Sequence, residues 1–495
     1  MTALATLPQF PWLTLLIGLP LAGALLCVLQ RGSDAECRWL ALATALATLT
    51  ITVWLFVCSG QGGSGWLLHE DVAWITRFGI RYTLGMDGIS LLLVLLTTFL
   101  QVIAILISWP VQKHVPLFFA LLLILEAGLI GVFLALDLVL FYLFWETMLL
   151  PLFFLIGIWG HERRRYAAVK FFLYTLAGSL LMLVAMIALY LLHGEQSGSY
   201  SFALDSLCQT RLTTLQEYLL YGGFMLAFAI KAPLVPFHTW LPDAHTEAPL
   251  AGSVDLAGLL LKTGVYGMIR VAFPLFPEAT RASLPLLAVL ALSGMFYAAW
   301  VAYHQDDIKR IIAYSSISHL GLVILGLASA SAVAWQGSLL LMLTHGVTTG
   351  ALFIMTSVIR QRTGTRSLAR LGGLWSRTPC LAAFFLFFSL ASLGLPGLAN
   401  FSGEILVLLG TFQNQPLWAV FALFGMVFTA AFMLRMVQGV LWGTPATQAA
   451  ADDLTVREWL VLVPLALLVI GFGLYPAPYL APLAAPVQAV LGGLP

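Results

Sequence analysis

The chain reads YLLYGGFMLAFAI from Tyr218, then Lys231, then APLVP up to Pro236. A lysine in hydrocarbon costs about 2.5–3.5 kcal/mol on insertion scales, so we expect Lys231 to face a bundle interior, water or a partner group. The prolines lack amide hydrogens and break the helix at membrane depth; Pro233, for example, is expected to leave the carbonyl of Ala229 free. Free carbonyls carry partial negative charge and favour an ammonium group. The alternative is a helix that ends at the surface with Lys231 reaching water.

The composition of the whole chain is that of a polytopic membrane protein. Its 495 residues are 61% hydrophobic and 9% charged, whereas soluble proteins are about 25% charged. Apolar stretches recur from end to end, each long enough to cross a hydrocarbon core of about 30 Å as a helix, and the alternation of a β-barrel is not seen. We predict an all-α polytopic membrane protein with about fourteen transmembrane helices, which lie at residues 10–29, 39–58, 86–108, 115–135, 137–158, 168–192, 218–241, 252–273, 283–303, 308–328, 333–359, 379–411, 416–441 and 457–480.

Interruptions in two of these spans predict an internal repeat. Spans 7 and 12 both contain Pro or Gly near an ionisable residue, and each is fourth in a block of five spans, 4–8 and 9–13. Corresponding broken helices are typical of inverted-repeat transporters. We therefore predict four parts: a three-helix segment (1–110), a first antiporter-like repeat (115–273), a second, inverted repeat (283–441), and a C-terminal span and tail (442–495).

The basic residues predict how the chain is oriented. Most of them lie in loops that follow odd-numbered spans, as do Arg163, Arg164 and Arg165. The positive-inside rule then places both termini outside the cytoplasm. No Lys or Arg precedes Arg31, so the first span lacks the basic region of a signal peptide and is predicted to be a retained helix.

The sequence shows no cofactor motif. It contains no C-x-x-C pair, no G-x-G-x-x-G that opens a βαβ unit, no P-loop and no nucleophile elbow, so we expect no iron–sulfur, zinc, haem or nucleotide site. A net charge of +1 and the lack of a basic domain argue against nucleic-acid binding. The five cysteines are scattered over the chain: Cys27, Cys37, Cys58, Cys208 and Cys380.

Two ionisable residues at membrane depth are interpreted together with Lys231. Glu146 lies in the middle of span 5 in an aromatic setting; it is either a neutral, hydrogen-bonded acid or the ion-pair partner of Lys231, each holding the other charged. Lys262 lies deep in span 8, where Gly264 allows a neighbouring helix to approach closely. Asp255 falls on nearly the same helical face as Lys262 and is therefore either a buried neighbour of that lysine or a residue that caps the span near the cytoplasmic surface.

Three further residues extend this series towards the C-terminus. His319 and His345 lie inside spans 10 and 11 and are either hydrogen-bonded core groups or relay members; we interpret them as a relay. Glu404 follows the Pro- and Gly-rich stretch LGLPGLANFSG, for which the alternative is a glycine-rich loop with the carboxylate at an interface. Asp137 is expected to cap the following helix near the outer surface, and Glu126 is assigned no role. The series predicts a relay that carries protons between titratable side chains and water, without a metal.

Several motifs resemble the antiporter-like membrane subunits of proton-translocating NADH:quinone oxidoreductase, respiratory complex I. They are KAPLVPFHTWLPDAH (231–245), LKTGVYG (261–267), WETM (145–148), DDIKR (306–310), SSISHLG (315–321) and LPGLANFSGE (395–404). The likeness covers essentially the whole chain. Within that family the L, N and sodium/proton antiporter D types usually carry lysine where this chain has Glu404, and the L type bears a long lateral helix, so glutamate and the short tail point to the M type.

The resemblance implies a proton-transfer series of Glu146 paired with Lys231, a central Lys262, relay positions at His319 and His345, and an exit at Glu404. We also predict accessory positions at Asp137, His238, Asp243, His245 and Asp255. The resemblance also implies that NADH, FMN, iron–sulfur clusters and quinone belong to partner subunits, that this chain carries no cofactor, and that its partners are other membrane subunits, including the L and N types, in a bacterial inner membrane. Two alternatives stay open: a subunit of a multisubunit sodium/proton antiporter, and a structural membrane scaffold.

Overall fold

The computed structural model describes residues 10–30, 32–59, 65–443 and 452–493, and most of them are helical. Twelve helices in these ranges are long and apolar enough to cross a membrane. They correspond one by one to twelve of the predicted spans. The two remaining predictions, spans 7 and 12, correspond to interrupted helices. The predicted polytopic helical architecture is therefore confirmed, with breaks where proline and glycine cannot continue a helix.

The N-terminal segment contains a β-hairpin that the sequence analysis did not predict. The strands β1 (Leu68–Ile75) and β2 (Ile80–Met86) pair antiparallel, and a search for apolar stretches of membrane length cannot detect so short an element. Arg81 and Asp71 form an exposed ion pair across the hairpin at 2.6 Å, which holds the pKa of the Asp71 carboxyl below its ordinary value. Among the described residues of this segment, the helices are α1 (Trp12–Leu29), α2 (Asp34–Ser59) and α3 (Gly88–Ile107).

The first predicted repeat contains ten helices within the described residues. A bend at Met148 separates α5 from α6, and two π-helical turns, Leu256–Leu260 and Met268–Ala272, interrupt the eighth span. The helices are α4 (Val115–Leu134), α5 (Leu138–Thr147), α6 (Leu149–Trp159), α7 (Arg164–Ser197), α8 (Leu204–Leu207), α9 (Thr214–Lys231), α10 (Trp240–Glu247), α11 (Leu250–Asp255), α12 (Leu261–Gly267) and α13 (Phe273–Leu275).

The second predicted repeat and the C-terminal part complete the bundle. The last helix, α22, packs against α3 and α16, so much of the predicted tail is helical and packed on the bundle. The helices are α14 (Pro277–His304), α15 (Ile308–Ala328), α16 (Ala332–Thr363), α17 (Leu374–Arg377), α18 (Pro379–Ser392), α19 (Ala399–Asn414), α20 (Pro416–Leu441), α21 (Val456–Leu474) and α22 (Ala477–Gly492).

Two aspartates make matching contacts in the two predicted repeats. Asp137 accepts a hydrogen bond from the amide of Val139 and caps α5, and Asp307 accepts one from the amide of Lys309 and caps α15. The backbone of Asp137 also bridges to Ala203, and that of Asp307 to Ser367. Each aspartate precedes the second span of its block, and each bridge reaches the connection before the broken span. Since an odd number of spans separates them, the two caps face opposite sides, which supports inverted repeats.

Gly264 sits where α12 crosses α9, and the two helices are in contact. A Cβ atom at this position would lie 2.7 Å from the amide nitrogen of Ala232 and 2.7 Å from the carbonyl oxygen of Phe228. Because both are backbone atoms, the helices would have to separate. The close contact between the end of α9, just before the break, and the span that carries Lys262 therefore requires a glycine at position 264.

We expect Gly264→Ala to destabilise the bundle by about 1–3 kcal/mol, as overpacking does. The matched control is Gly222→Ala on α9, where a Cβ atom meets nothing within 4 Å. The measurement is the thermal stability and abundance of the chain in membranes. Equal behaviour of the two variants would show that the close crossing is not required.

Candidate functional site

Four of the residues singled out in the sequence form a row through the interior of the bundle. Lys262 Nζ lies 3.0 Å from His345 Nδ1, the rings of His345 and His319 are 5.4 Å apart between centroids, and His319 Nε2 lies 3.8 Å from Glu404 Oε1. None of the four side chains is more than 3% exposed. The row therefore joins four helices, α12, α16, α15 and α19, through ionisable groups alone.

At one end of the row, Lys262 is held by two acceptors. Its ammonium donates to the carbonyl of Ala257, which lies in the π-helical turn before it, and to His345 Nδ1. An ammonium can only donate, so Nδ1 of His345 is the accepting nitrogen of that ring. The other ring nitrogen, Nε2, has no hydrogen-bond partner among the described residues. His345 is thus ready to receive a proton on one nitrogen and to release one from the other.

His319 is held between two backbone carbonyls. Its Nδ1 lies 2.7 Å from Ser315 O and its Nε2 lies 2.8 Å from Ser392 O. A neutral imidazole could donate to only one of them, whereas the imidazolium can donate to both. Ser392 is the last residue of α18, so its carbonyl belongs to the helix end that the break in span 12 leaves open. The break provides a site that suits a charged histidine.

Glu404 ends the row beside a small cavity. Its Oε2 atom makes no hydrogen bond within the described ranges. A cavity with a water-accessible volume of about 10 Å³ is lined by Glu404, His319, Ser318 and Thr429 among others, close to the smallest space, roughly 10–15 Å³, that holds one water. Gly394, with φ +80°, packs directly against the carboxylate, and a Cβ atom there would lie 2.1 Å from Oε2.

Lys231 is buried among aromatic rings rather than against helix carbonyls. Its Nζ atom lies 5.0 Å from the Trp145 ring centroid and 6.0 Å from that of Phe171, and it makes no hydrogen bond to any described residue. The expected free carbonyl of Ala229 instead accepts from the amide of Leu234 at 2.9 Å. The carbonyl acceptors expected for Lys231 are therefore a wrong prediction, since the chain after the break folds back and uses one of them. Cation–π contacts replace them.

Glu146 and Lys231 are neighbours without being a contact pair. No ion pair within 4 Å joins these two described residues, although Glu146 exerts an electrostatic effect on the ammonium. Glu146 is only partly buried and its Oε1 atom is unpartnered within the described chain. The structure therefore corrects the expected direct pair to a separated one, because Trp145 and Phe171 surround the ammonium.

The accessory residues fall into two groups. His245 and Asp255 are fully buried; the His245 ring stacks on Phe353 at 4.5 Å, and neither residue has a side-chain hydrogen bond among the described residues. The alternative that Asp255 caps a helix at the surface is thereby excluded. Asp137, His238 and Asp243 lie off the row.

The contacts of that second group are specific. Asp137 caps α5 as expected, Asp243 binds Lys170 at 2.7 Å, and the His238 ring packs against Tyr297. Glu126 is completely buried with neither carboxyl oxygen bonded to a described residue, and Asp255 is the charged group that acts on it. Its burial gives no further indication of a role.

A polar cluster that the sequence analysis did not assemble lies where the connections after spans 5, 7, 9 and 11 meet. His161 Nε2 lies 2.8 Å from Arg360 Nη1, Arg366 binds Asp307 at 3.2 Å, and Lys309 donates to the carbonyl of Ala248. Burial together with the nearby cations lowers the pKa of His161 to about 3, so it accepts from Arg360 as a neutral ring. The signal for it was the concentration of basic residues in these loops.

The described residues offer no group of three or more His, Cys, Asp or Glu side chains placed to hold a metal ion. The row instead contains an ammonium, two imidazoles and a carboxyl, each able to hold or lose a proton.

Comparisons with known proteins identify the family. A family model described as NADH:quinone oxidoreductase/Mrp antiporter, TM, matches residues 135–429. NADH-quinone oxidoreductase subunit M from Pseudomonas aeruginosa is 44% identical, with 97% of each chain covered. The chain belongs to this family. The protein with the same name from Escherichia coli is 43% identical over 95% of each chain.

The fold of the family member agrees with a solved structure. A chain of respiratory complex I from Thermus thermophilus with bound NADH superimposes with a TM-score of 0.89 and 33% identity, covering 98% of this chain and 100% of that one. The resemblance stated from the motifs, and the antiporter-like fold that it implied, are both confirmed.

We expect Gly394→Ala to push the Glu404 carboxylate away from His319, because the new Cβ atom would occupy the position of Oε2. The matched control is Gly364→Ala, which has a similar φ of +71° but open space around the Cβ position. Both variants carry the backbone strain of about 1–2 kcal/mol that an L-residue has in this conformation. Structures of both variants measure the His319–Glu404 distance, and a distance unchanged from 3.8 Å in Gly394→Ala would contradict the packing described here.

Proposed function

We propose that this chain is a proton-translocating membrane subunit of an NADH:quinone oxidoreductase. The observation that carries the proposal is the row of Lys262, His345, His319 and Glu404, four titratable side chains in sequence through a buried core. Support also comes from the names of the relatives, which cover nearly the whole chain. Ionisable groups at membrane depth typically mark transport paths, because a charge there destabilises the protein and such residues are rarely kept without a function.

The geometry suggests how a proton moves along the row. The Lys262 ammonium gives a proton to Nδ1 of His345, the nitrogen that already accepts from it. The ring then releases the proton from Nε2, which is free of described partners, to His319 once that imidazolium has given up its own Nε2 proton. His319 passes a proton from Nε2 to Oε1 of Glu404, and the small cavity beside both groups has room for one water. Each transfer leaves the donor one charge more negative and the acceptor one charge more positive.

Glu146 and Lys231 are suited to control when the row is loaded. The Lys231 ammonium lies against aromatic faces, and the separated, partly buried Glu146 carboxylate is the counter-charge that acts on it. A unit charge brought to about 4 Å at an effective dielectric constant of about 20 contributes about 4 kcal/mol, which is about three factors of ten in proton affinity. A movement of Glu146 towards Lys231 would therefore switch the lysine between holding and releasing its proton.

Under this proposal, the energy for proton transport is supplied by other subunits, with which this chain assembles. Quinone reduction elsewhere drives the cycle, and NADH, FMN, iron–sulfur clusters and the quinone site belong to partners, so this chain needs no redox centre or cofactor of its own. The partners are other membrane subunits of the complex, including the L and N types. The chain lies in a bacterial inner membrane with both termini on the periplasmic side, as the basic loops indicate, and residues 115–273 and 283–441 act as the two antiporter-like repeats.

The sodium/proton antiporter alternative finds less support in the row. A sodium site needs several oxygen ligands, as hard cations do, whereas the row contains an ammonium and two imidazoles that would repel a cation when charged. Replacing sodium by potassium in the assay buffer tests this point, and we expect the proton yield to stay the same.

The scaffold alternative is opposed by the unpaired atoms of the path. Charges that serve only packing are normally paired and hydrogen-bonded, because an unsatisfied buried polar group destabilises the fold by about 1–3 kcal/mol. Lys231 Nζ and Glu404 Oε2 both lack hydrogen-bond partners in the described parts of the chain. A scaffold would have no reason to keep them.

We expect Lys231→Ala and Glu404→Ala each to leave the complex assembled and to lower NADH-driven proton release at least about tenfold, a modest loss for a proton-transfer group. The matched controls are Lys113→Ala and Glu195→Ala, which remove an exposed lysine and an exposed glutamate. The measurements are native-gel assembly, NADH:quinone turnover and proton release in sealed vesicles. Normal turnover and normal proton release in either Lys231→Ala or Glu404→Ala would overturn the proposal.

A further inference from the structure

A second polar cluster lies on the span that carries Lys262, beyond it in the chain. Tyr266 and Arg270 follow Lys262 on the same span, and the rise from Lys262 to Arg270 is about 12 Å for a helix. With Asp87 and Ser90 of the α3 N-terminus they form what we call the span-8 plug, defined as Asp87, Ser90, Tyr266 and Arg270. The cluster is at the end of the span opposite to Leu250 and the His161 cluster.

The plug is closely connected. The Arg270 guanidinium forms an ion pair with Asp87 and donates from Nε to the Tyr266 hydroxyl at 3.3 Å. The Tyr266 hydroxyl donates to the carbonyl of Phe133 at 2.8 Å and lies 3.1 Å from Ser90 Oγ. The side chains of Arg270 and Asp87 are 11% and 6% exposed. The plug therefore closes the space between α3, α4 and the end of span 8.

This placement matters because a proton on Lys262 has two ways to leave. One is sideways to His345, with which it is in contact; the other is along its own span to the face where Arg270 lies. The Tyr266 hydroxyl has a single hydrogen, which is bonded to the Phe133 carbonyl. Arg270 cannot lose a proton under ordinary conditions, so it cannot relay one. A fixed guanidinium on the route of a proton also repels it, as arginine does in channels that exclude cations.

We propose that the span-8 plug is an electrostatic seal that keeps a proton on Lys262 from leaking along its own span and so directs it sideways to His345. This inference rests on the proposed function and adds a role for residues outside the row. Asp87 holds the guanidinium over the end of the span, while the rings of Trp66 and Tyr266, at 5.1 and 5.7 Å, support its faces.

A purely structural role for Arg270 explains fewer of the contacts in the plug. Asp87 already caps α3 by accepting from the amide of Ser90 at 2.9 Å, and this cap does not need a guanidinium. Tyr266 is likewise fixed by the Phe133 carbonyl without Arg270. The helix cap and the tyrosine are thus held without Arg270, whose charge is paired with the Asp87 carboxylate.

The test measures passive proton flux in the intact complex, reconstituted in vesicles without NADH, after an imposed pH difference with potassium and valinomycin to balance charge. We expect Arg270→Gln to raise this flux several-fold and to lower the protons released per electron during turnover. Arg270→Lys keeps a cation and should stay near wild type. The matched control is Arg81→Gln, which removes an exposed ion pair in the adjoining hairpin and should leave the flux unchanged.

A double variant identifies the route of the leak. If the proton passes through Lys262, Arg270→Gln combined with Lys262→Met returns the flux to the wild-type level. A wild-type flux in assembled Arg270→Gln would overturn the proposal, and so would a leak that persists in the double variant, since that leak would come from loosened packing.

If Arg270→Gln fails to assemble, a second variant, Arg270→His, tests the proposal. Arg270→His, which faces the Asp87 carboxylate, carries a cation at low pH and loses it as the pH rises, so its leak relative to the wild type should increase with pH within one folded protein. A ratio that does not change with pH would contradict the seal. Passive flux needs no turnover, so these outcomes are separate from the Lys231→Ala and Glu404→Ala experiments that test the proposed function.

Discussion

The contact between Lys262 and His345 is the interaction on which the rest of the row depends. An ammonium without exposed surface is strongly destabilised unless a neighbour accepts from it, and here the acceptors are an imidazole and the carbonyl of Ala257. The contact requires two helices to approach closely. A Cβ atom on Gly346 would lie 2.9 Å from the carbonyl oxygen of Gly258, so the absence of side chains at these two positions sets the distance between α16 and the π-helical turn.

The two broken helices use the carbonyl groups at their breaks differently. In span 12 the break leaves the Ser392 carbonyl free to accept from His319, and the turn at Gly394 brings backbone against Glu404. In span 7 the carbonyls are taken up within the turn itself, by Leu234 and by the Trp240 indole. Lys231 is consequently left to aromatic faces. An ammonium held in this way by weak contacts responds strongly to a charge that moves, which is what a loading switch requires.

The sequence was sufficient for features that depend on local composition. Span lengths follow from apolar runs, the breaks follow from Pro233, Pro236 and Pro396, and the ionisable residues stand out because membrane segments so rarely carry them. Features that depend on which helices contact each other could not be predicted from the sequence. Nothing local indicates that His345 accepts from Lys262, that Trp145 and Phe171 surround Lys231, or that Arg270 is bound to an aspartate at the start of α3. The hairpin was missed because two short, largely exposed strands have neither the length nor the apolarity of a span.

We infer that the four groups of the row exchange protons through contacts or single waters. A density map of the intact assembly at a resolution that shows water tests it most directly, at the gap between the His345 and His319 rings and in the cavity beside Glu404. We expect ordered water or a direct hydrogen bond at both places in at least one conformation. Apolar packing that separates the two rings, with no water beside Glu404 in any conformation, would contradict it.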